Sequence, residues 1–351
     1  MRKLIYILML LSSISAYGQD PQFSQYYSAP LILNPAMAGA TDCYRIGMNA
    51  RTQWTGLPGG AFNTASLFAD LNYPDLRSGF GLLVLHDNIG TPRMSSNEIS
   101  GLYSYLLPVS KQLNIRMGLQ GTYVWRKLDY CRLIFEDQYT GTTVTSPTSN
   151  DPMTAHNTRR YADFSAGALV FGEDRYWLGF SAHHLNRPDH GFFYESRLPI
   201  KYSLHGGYNF YKKDFPGQSL DDAFRIIPTF MYKAQAKFDQ LDLGIYFIQS
   251  SLMFGLWYRG IPVKRDFNIY NRDAIDIQVG LMHNDFSFTY SYDFTISKLS
   301  IVNTHGSHEI SLIYLFCLDW PKNKRPPKHV RKLPCPDFKK SMKYKKNFLG
   351  F

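Results

Sequence analysis

Three histidines are the side chains in this sequence that first suggest chemistry. His183, His184 and His190 stand close together, and imidazole nitrogen is a common zinc ligand. Their spacing matches no structural zinc motif, and no cysteine lies near them. They fall at the end of a strand-like run and in the loop after it. We therefore expect them at the rim of a folded body and predict no metal site.

Motifs for nucleophilic catalysis and phosphate binding are missing from the sequence. The G-x-S-x-G turn that presents the serine of many hydrolases does not occur. The pairs Gly59-Gly60 and Gly206-Gly207 are not followed by helical periodicity, which argues against a phosphate-binding loop that opens a helix. We predict no catalytic residue and no cofactor, and therefore a protein that is not an enzyme.

Residues 1–18 have the features of an export signal. Arg2 and Lys3 precede an apolar run over residues 4–14 that is too short to span a bilayer as a helix. Small residues stand at the −3 and −1 positions of a cleavage site between Gly18 and Gln19. We predict cleavage there, and no cysteine follows the cut to carry a lipid anchor.

The positive charge of the chain is concentrated at its C-terminus. Residues 317–351 hold nine Lys and two Arg against two Asp, whereas the body between signal and tail is close to neutral. A nucleic-acid-binding protein carries such charge on a folded face, so we expect no nucleic-acid partner. No later apolar run is long enough for a transmembrane helix. The mature chain is then soluble, or it crosses a membrane as a closed β-barrel.

Strand-like segments recur along the whole body, each long enough for a tilted strand to cross a bilayer. We predict fourteen, at residues 44–54, 60–73, 78–89, 95–107, 112–127, 161–172, 175–186, 199–211, 222–235, 239–249, 251–261, 272–283, 285–296 and 307–317. The predicted fold is all-β: a closed antiparallel transmembrane β-barrel of about 14 strands over residues 44–317.

The clearest alternation runs from Phe286 to Thr295, where every second residue is aromatic and the residues between them are small or polar. A soluble sandwich would bury the aromatic face, whereas a membrane barrel would turn it toward lipid. Arg116 and Arg126 stand on the polar faces of another segment. An unpaired charge is costly in an apolar core, so these arginines favour a barrel lumen. A soluble adhesive sandwich remains the alternative.

Connector lengths predict how the barrel lies in the membrane. Most linkers after even-numbered strands are short, and the longest linker, at about residues 130–160, follows an odd-numbered strand. Outer-membrane barrels place short turns in the periplasm and long loops outside. An even strand number returns the chain to the side where it started. We therefore expect both termini in the periplasm.

Four cysteines in an exported chain raise the question of disulfides. Barrel closure makes the first and last strands neighbours, so Cys43 and Cys317 are expected near each other. Cys335 lies in the tail on the same side, and Cys131 falls at the other end of the barrel. We predict one periplasmic bridge that ties Cys335 to Cys317 or Cys43. Four reduced cysteines are the open alternative.

Two segments flank the predicted barrel. Residues 19–43 are too apolar for a free linker, and we expect Phe23, Tyr26, Tyr27 and Leu33 to plug the lumen or to seat a partner at its periplasmic mouth. Residues 318–351 form a basic periplasmic tail whose prolines exclude a strand. This tail either docks an acidic periplasmic or lipoprotein partner or remains a solvated end.

The order and spacing of several motifs resemble the PorP/SprF family of the Bacteroidetes type IX secretion system. The motifs are QFSQYY at 22–27, LNPAMAG at 33–39, RTQW at 51–54, GFGLLV at 79–84 with DNIG at 87–90, and HEISLIYLF at 308–316. The resemblance implies an outer-membrane barrel of a Gram-negative bacterium that works with secretion and gliding components. Family members help to secrete or anchor large surface proteins, including gliding adhesins.

These observations predict a barrel in the lipid bilayer that binds one secreted surface protein at the cell surface. Phe135 and Tyr139, in the longest loop, are the candidate contacts for such an adhesin-like cargo. The alternative function is an outer-membrane pore or transporter for a small solute.

Overall fold

The computed structural model describes residues 20–316, except 42, 58–59, 91–93, 111–112, 131–132, 141, 145, 147, 173–174, 213–223, 267–268, 284 and 298–300. The predicted signal and the basic tail lie outside the described residues. Within the described part, none of the helices has the length and apolar character needed to cross a bilayer.

Strands account for most of the described chain. In order they are β1 Tyr44–Gln53, β2 Phe62–Tyr73, β3 Ser78–Ile89, β4 Met94–Pro108, β5 Leu113–Lys127, β6 Tyr139–Thr140, β7 Thr143–Val144, β8 Thr158–Gly172, β9 Tyr176–His183, β10 Lys201–Tyr208, β11 Phe210–Lys212, β12 Phe224–Gln235, β13 Phe238–Gln249, β14 Leu252–Asp266, β15 Ile269–His283, β16 Phe286–Thr295 and β17 Ser307–Phe316.

The strands close into an antiparallel barrel. Neighbours in sequence pair with each other, β1 pairs with β17, and β10 pairs with β12. β10 and β11 are separated by Asn209 alone and both pair with β12, so they form one interrupted strand. Counted in this way the barrel has 14 strands, which confirms the predicted fold. β6 and β7 form a separate two-stranded hairpin inside the longest loop.

Side-chain alternation follows the prediction for a membrane barrel. In β16, Phe286, Phe288, Tyr290 and Phe294 are exposed on the outer surface, while Ser287, Thr289, Ser291, Asp293 and Thr295 are buried. Arg116 is also buried on the inner side. The aromatic face therefore lies against lipid, and the sandwich alternative is wrong.

The β14–β15 hairpin is longer than the sequence predicts. The apolar alternation stops near residue 261, and Pro262 and the charged residues after it suggest a loop. In the structure, pairing continues to Asp266 and Ile269 through register shifts after Arg259 and Ile261. Gly260, at φ 138°, lies at the first shift, where a backbone of this kind favours glycine. An irregular ladder therefore replaces the expected loop.

Residues 20–40, which we call the lumen segment, run inside the barrel. The segment contains the turns Tyr26–Ser28 and Pro35–Met37 and one helical turn at Pro30–Leu33. Most of its apolar residues form one core cluster with inward-facing residues of the strands, and Phe23 and Ala29 form a smaller cluster with Leu85. Leu31 and Ala36 are both 0% exposed. The hydrophobic core of the described chain therefore lies within the barrel, between the lumen segment and the wall.

The barrel has two unlike ends. One end, the long-loop mouth, carries the connections at 54–61, 128–157, 184–200 and 296–306. The other, the short-turn mouth, carries the short connections from β2 to β3, β4 to β5, β8 to β9, β13 to β14 and β15 to β16, together with one longer connection from β11 to β12. β1 begins and β17 ends at the short-turn mouth, since Tyr44 pairs with Phe316.

Candidate functional site

Three inward-facing glycines of the wall bring the backbone of the lumen segment unusually close. Gly79 of β3 lies against the carbonyl group of Ala38, and Gly118 of β5 lies against the peptide group between Pro35 and Ala36. Gly167 of β8 meets the side chain of Asn34. A Cβ atom at any of these glycines would overlap the segment. We call Gly79, Gly118 and Gly167 the glycine track, because together they shape the wall to residues 34–38.

Polar groups of the wall also hold the end of the lumen segment that is nearest to β1. The Ala38 carbonyl oxygen accepts hydrogen bonds from Ser104 Oγ at 2.6 Å and from Arg116 Nη1 at 2.9 Å. The Gly39 N–H donates to Asp70 Oδ2 at 2.7 Å, and Asp70 pairs with Arg45 at 2.8 Å. The backbone of this region is therefore satisfied by the barrel, as burial requires.

A buried group of four charged side chains holds the first half of the segment. We call Arg51, Arg259, Asp293 and Glu309 the charge clamp. Glu309 accepts hydrogen bonds from two successive backbone N–H groups of the segment, those of Ser24 at 2.7 Å and Gln25 at 3.0 Å. Opposite charges are close within the clamp: Arg51 lies 2.7 Å from Asp293 and 3.1 Å from Glu309, and Arg259 lies 3.0 Å from Asp293.

Ser24 connects the charge clamp to the segment through its hydroxyl group. Its Oγ donates to Asp293 Oδ2 at 2.8 Å and accepts from Arg259 Nη2 at 2.7 Å. Arg51 is also a donor to this oxygen. Every clamp side chain is at most 5% exposed. Charges this deeply buried require opposite charges and hydrogen bonds, and the segment supplies part of the hydrogen bonds.

The four residues that the sequence singles out in this segment are all buried in the lumen. The ring of Tyr26 packs edge-on against Trp257 and that of Tyr27 against Trp177, with centroids 5.4 Å and 5.7 Å apart. Tyr26 also donates a hydrogen bond to Asp242. Phe23 packs in a small apolar cluster with Leu85. Leu33 is 5% exposed, and its carbonyl accepts from Ser181.

Asp20, the first described residue, is held at the long-loop mouth. Its Oδ2 lies 2.9 Å from His184 Nε2 and 2.6 Å from Lys201 Nζ. His184 Nδ1 lies 2.9 Å from Asp163 Oδ2, so both ring nitrogens face carboxylates. Burial alone would raise the pKa of Asp20, but Lys201 and His184 hold it well below its usual range. Burial opposes charge on His184, but Asp20 and Asp163 together raise its pKa to about 9.

The two longest loops pack against each other at the same mouth. The rings of His156 and Phe193 lie 5.3 Å apart, and Arg159 forms an ion pair with Asp189. Phe135 is half-buried and donates its backbone N–H to Gln138 Oε1 at 2.8 Å. Tyr139, in the hairpin of this loop, is 47% exposed. The two loops therefore pack into one folded surface at this mouth.

Tyr194 is the most exposed large hydrophobic side chain among the described residues, at 87%. It lies in the loop at residues 184–200, where only the histidines stand out in the sequence. An aromatic residue in a loop with no alternating pattern gives no sign of its exposure, so this contact candidate was missed.

The histidines have structural partners in the barrel. His183 Nδ1 lies 3.1 Å from Ser165 Oγ, His184 bridges Asp20 and Asp163, and His190 lies in the loop beyond them. Across the described residues no group of three or more His, Cys, Asp or Glu side chains has the geometry to bind a metal.

Cys43 is disulfide-bonded in this structure. The other three cysteines, Cys131, Cys317 and Cys335, lie outside the described residues, as do Gly18 and Gln19. The pairing and the cleavage site therefore stay predictions.

One family of known proteins matches this chain over most of its length. Residues 15–314 match the type IX secretion system membrane protein PorP/SprF family. The chain belongs to the PorP/SprF family. It is thus an outer-membrane β-barrel of the type IX secretion system, as its motifs predict. No curated protein matches the chain significantly.

Several solved barrels resemble the chain at low sequence identity. The toluene transporter TbuX of Ralstonia pickettii is 9% identical with a TM-score of 0.49, covering 83% of this chain and 94% of its own. The CymD monoaromatic hydrocarbon channel is 11% identical with a TM-score of 0.44, covering 83% and 93%. A Pseudomonas aeruginosa FadL homologue is 12% identical with a TM-score of 0.40, covering 82% and 94%. These values identify no substrate for this chain.

Proposed function

We propose that this PorP/SprF protein captures a large secreted surface protein, such as a gliding adhesin, and helps to secrete or anchor it at the cell surface. The long-loop mouth is the proposed binding surface. With short turns in the periplasm, as in other outer-membrane barrels, this mouth faces the outside of the cell.

One observation supports a binding surface over a pore: the lumen contains the chain's own residues 20–40. Phe23, Tyr26, Tyr27 and Leu33 are buried there, and both the charge clamp and the glycine track fit the segment closely. In this proposal the segment closes the lumen, which leaves the mouths as the surfaces open to a partner. Ion conductance in planar bilayers is the test, and a steadily conducting wild-type barrel would favour the solute pore.

The proposed cargo contacts are Phe135 and Tyr139, together with Tyr194. Two folded loops present these aromatic rings at one mouth, and aromatic side chains are frequent hot spots of protein interfaces. Other secretion components are proposed partners of the basic residues 318–351, because an acidic partner in the periplasm would complement their charge.

Replacing the loop aromatics tests the proposal. We expect Tyr139→Ser combined with Tyr194→Ser to lower cargo retention roughly tenfold or more, because each lost hot-spot ring weakens binding by more than about 1 kcal/mol. Barrel insertion should be unchanged, since both side chains lie outside the sheet core. Surface cargo is measured by immunolabelling of intact cells.

The matched control is Tyr73→Ser at the short-turn mouth, where the side chain is also exposed. Deleting residues 318–351 is a second arm and should impair cargo handling while the barrel still inserts. Full cargo display by the loop variant would overturn the assigned contacts.

A further inference from the structure

The lumen segment passes through the barrel from one mouth to the other. Asp20 contacts His184, just after the end of β9, and Lys201, at the start of β10. Both positions belong to the long-loop mouth. At the other end of the segment, Gly39 contacts Asp70 near the end of β2, and Cys43 precedes the start of β1 at the short-turn mouth. The chain therefore enters β1 at the mouth opposite to Asp20.

The contacts along the segment become more exposed toward Asp20. The side chains of Asp20, His184 and Lys201 are 15%, 14% and 19% exposed, whereas those of the charge clamp are at most 5% exposed. Water reaches these ion pairs more than those of the clamp, and solvent screening weakens an ion pair as its exposure grows. The contacts of Asp20 are therefore the first that can open.

We propose that the lumen segment is a strap whose free end lies at the outer face of the membrane, where the contact of Asp20 with His184 and Lys201 forms a latch that opens independently of the rest. The proposal rests on the barrel orientation assumed under the proposed function and on the predicted cleavage after Gly18, but not on any cargo. It places the mature N-terminus outside the cell, in contrast to the expectation from the sequence that both termini lie in the periplasm. Opening the latch frees Asp20 and Pro21, while Ser24 and Gln25 stay bound to Glu309.

The latch has a defined set of charged neighbours. Asp20 faces His184 after β9, Lys201 of β10 and the neutral Gln235 of β12, while Asp163 of β8 faces the other side of the His184 ring. Glu98 of β4 and His183 of β9 also interact electrostatically with Asp20, His184 and Lys201. His184 in the folded state holds its proton up to a pKa of about 9. Its contribution is fully present below the ordinary histidine pKa near 6.5 and is lost as the pH rises through about 9.

Single cysteines test where the free end lies. In the full chain with Cys43, Cys131, Cys317 and Cys335 replaced by serine, Pro21→Cys is compared with Thr148→Cys in the longest loop and Val109→Cys in a short turn. The probe is a membrane-impermeant maleimide added to intact cells. We expect labelling at positions 21 and 148 on intact cells, and at position 109 only after permeabilisation.

Labelling of position 21 together with position 109, rather than with position 148, would overturn the proposal. If position 109 is labelled on intact cells and position 148 only after permeabilisation, the assumed orientation of the barrel is wrong. The free end of the strap then does not lie outside the cell, and the proposal fails. The labelling experiment does not measure cargo display. The cargo proposal can therefore fail in the immunolabelling experiment without affecting this result. Gln22→Cys provides a second reporter if Pro21→Cys prevents barrel insertion.

Removing a latch charge tests the opening. With Asp20→Asn added, the labelling rate at position 21, relative to position 148, should rise about fivefold, as expected for the loss of a partly exposed ion pair. The matched control is Glu195→Gln, which removes an exposed ion pair of Glu195 with Arg197 at the same mouth and should leave the rate unchanged. Raising the pH from 7 to 10 should raise the same relative rate, and His184→Gln should reduce that pH response, leaving only the part due to Glu98 and Lys201. Equal rates in the Asp20→Asn and control chains would overturn the latch.

Discussion

The two halves of the lumen segment are held by different means. Residues 20–27 are held by charge, through the latch at Asp20 and the clamp around Ser24 and Gln25. Residues 34–39 fit closely on the glycine track, which leaves no space between wall and segment, and Ser104, Arg116 and Asp70 also hold their backbone by hydrogen bonds. Charge responds to pH and to single proton changes, whereas close packing does not. In our proposal, this difference keeps one end of the segment fixed while the other end can be released.

The charge clamp should give the largest effect when it is broken. Glu309→Gln removes the carboxylate that accepts both backbone N–H groups and leaves Arg51 with one fewer buried partner. We expect the free energy of unfolding to fall by about 3–5 kcal/mol, measured by urea unfolding of the barrel in detergent.

Glu195→Gln is the matched control for the clamp, because Glu195 forms an exposed pair with Arg197 at 2.6 Å. Its loss should change stability by less than about 1 kcal/mol. Similar losses in the two variants would show that the clamp does not hold the segment.

The glycine track should give an intermediate effect. Gly118→Ala places a methyl group against the peptide group of Pro35 and Ala36, and overpacking of this kind lowers stability by about 1–3 kcal/mol. The variant should also conduct ions in planar bilayers where the wild type does not, because the segment is displaced.

Gly101→Ala is the control for the track. Gly101 lies on the neighbouring strand β4, but a Cβ there would meet nothing within 4 Å. This variant should remain closed and equally stable. If both alanine variants behave alike, shape does not hold the second half.

Losing the disulfide of Cys43 should have the smallest effect on the segment. Cys43 is disulfide-bonded and directly precedes Tyr44, which pairs with Phe316 at the short-turn mouth. Peptide mapping without reductant identifies the partner of Cys43, which is either Cys335, as in one of the two predicted bridges, or Cys317.

Cys43→Ser should leave the lumen closed in conductance measurements, because β1 already anchors this end of the segment through the chain itself. An open lumen in this variant would mean that the covalent bridge, rather than packing, holds residues 34–39. A bridge from Cys43 to Cys335 would instead join the tail to the barrel.

The sequence predicts the wall of this barrel far better than its contents. Alternation in β16 follows directly from the two solvents that the wall separates, so Phe288 and Ser287 could be assigned to opposite faces. The clamp was not predicted, because Arg51 and Glu309 lie more than 250 residues apart and nothing local pairs them. Gly118 offered a signal, since glycine inside a strand often marks a close backbone approach, but the sequence does not show what approaches.

The pairing of β1 with β17 determines when the interior can be enclosed. The ring cannot be completed until its last strand, ending at Phe316, is available to meet the first. Residues 20–40 precede β1 and are present throughout that interval. We therefore expect the sheet to form around residues 20–40 during biogenesis. Pairing of β17 with β1 then closes the barrel and encloses the segment.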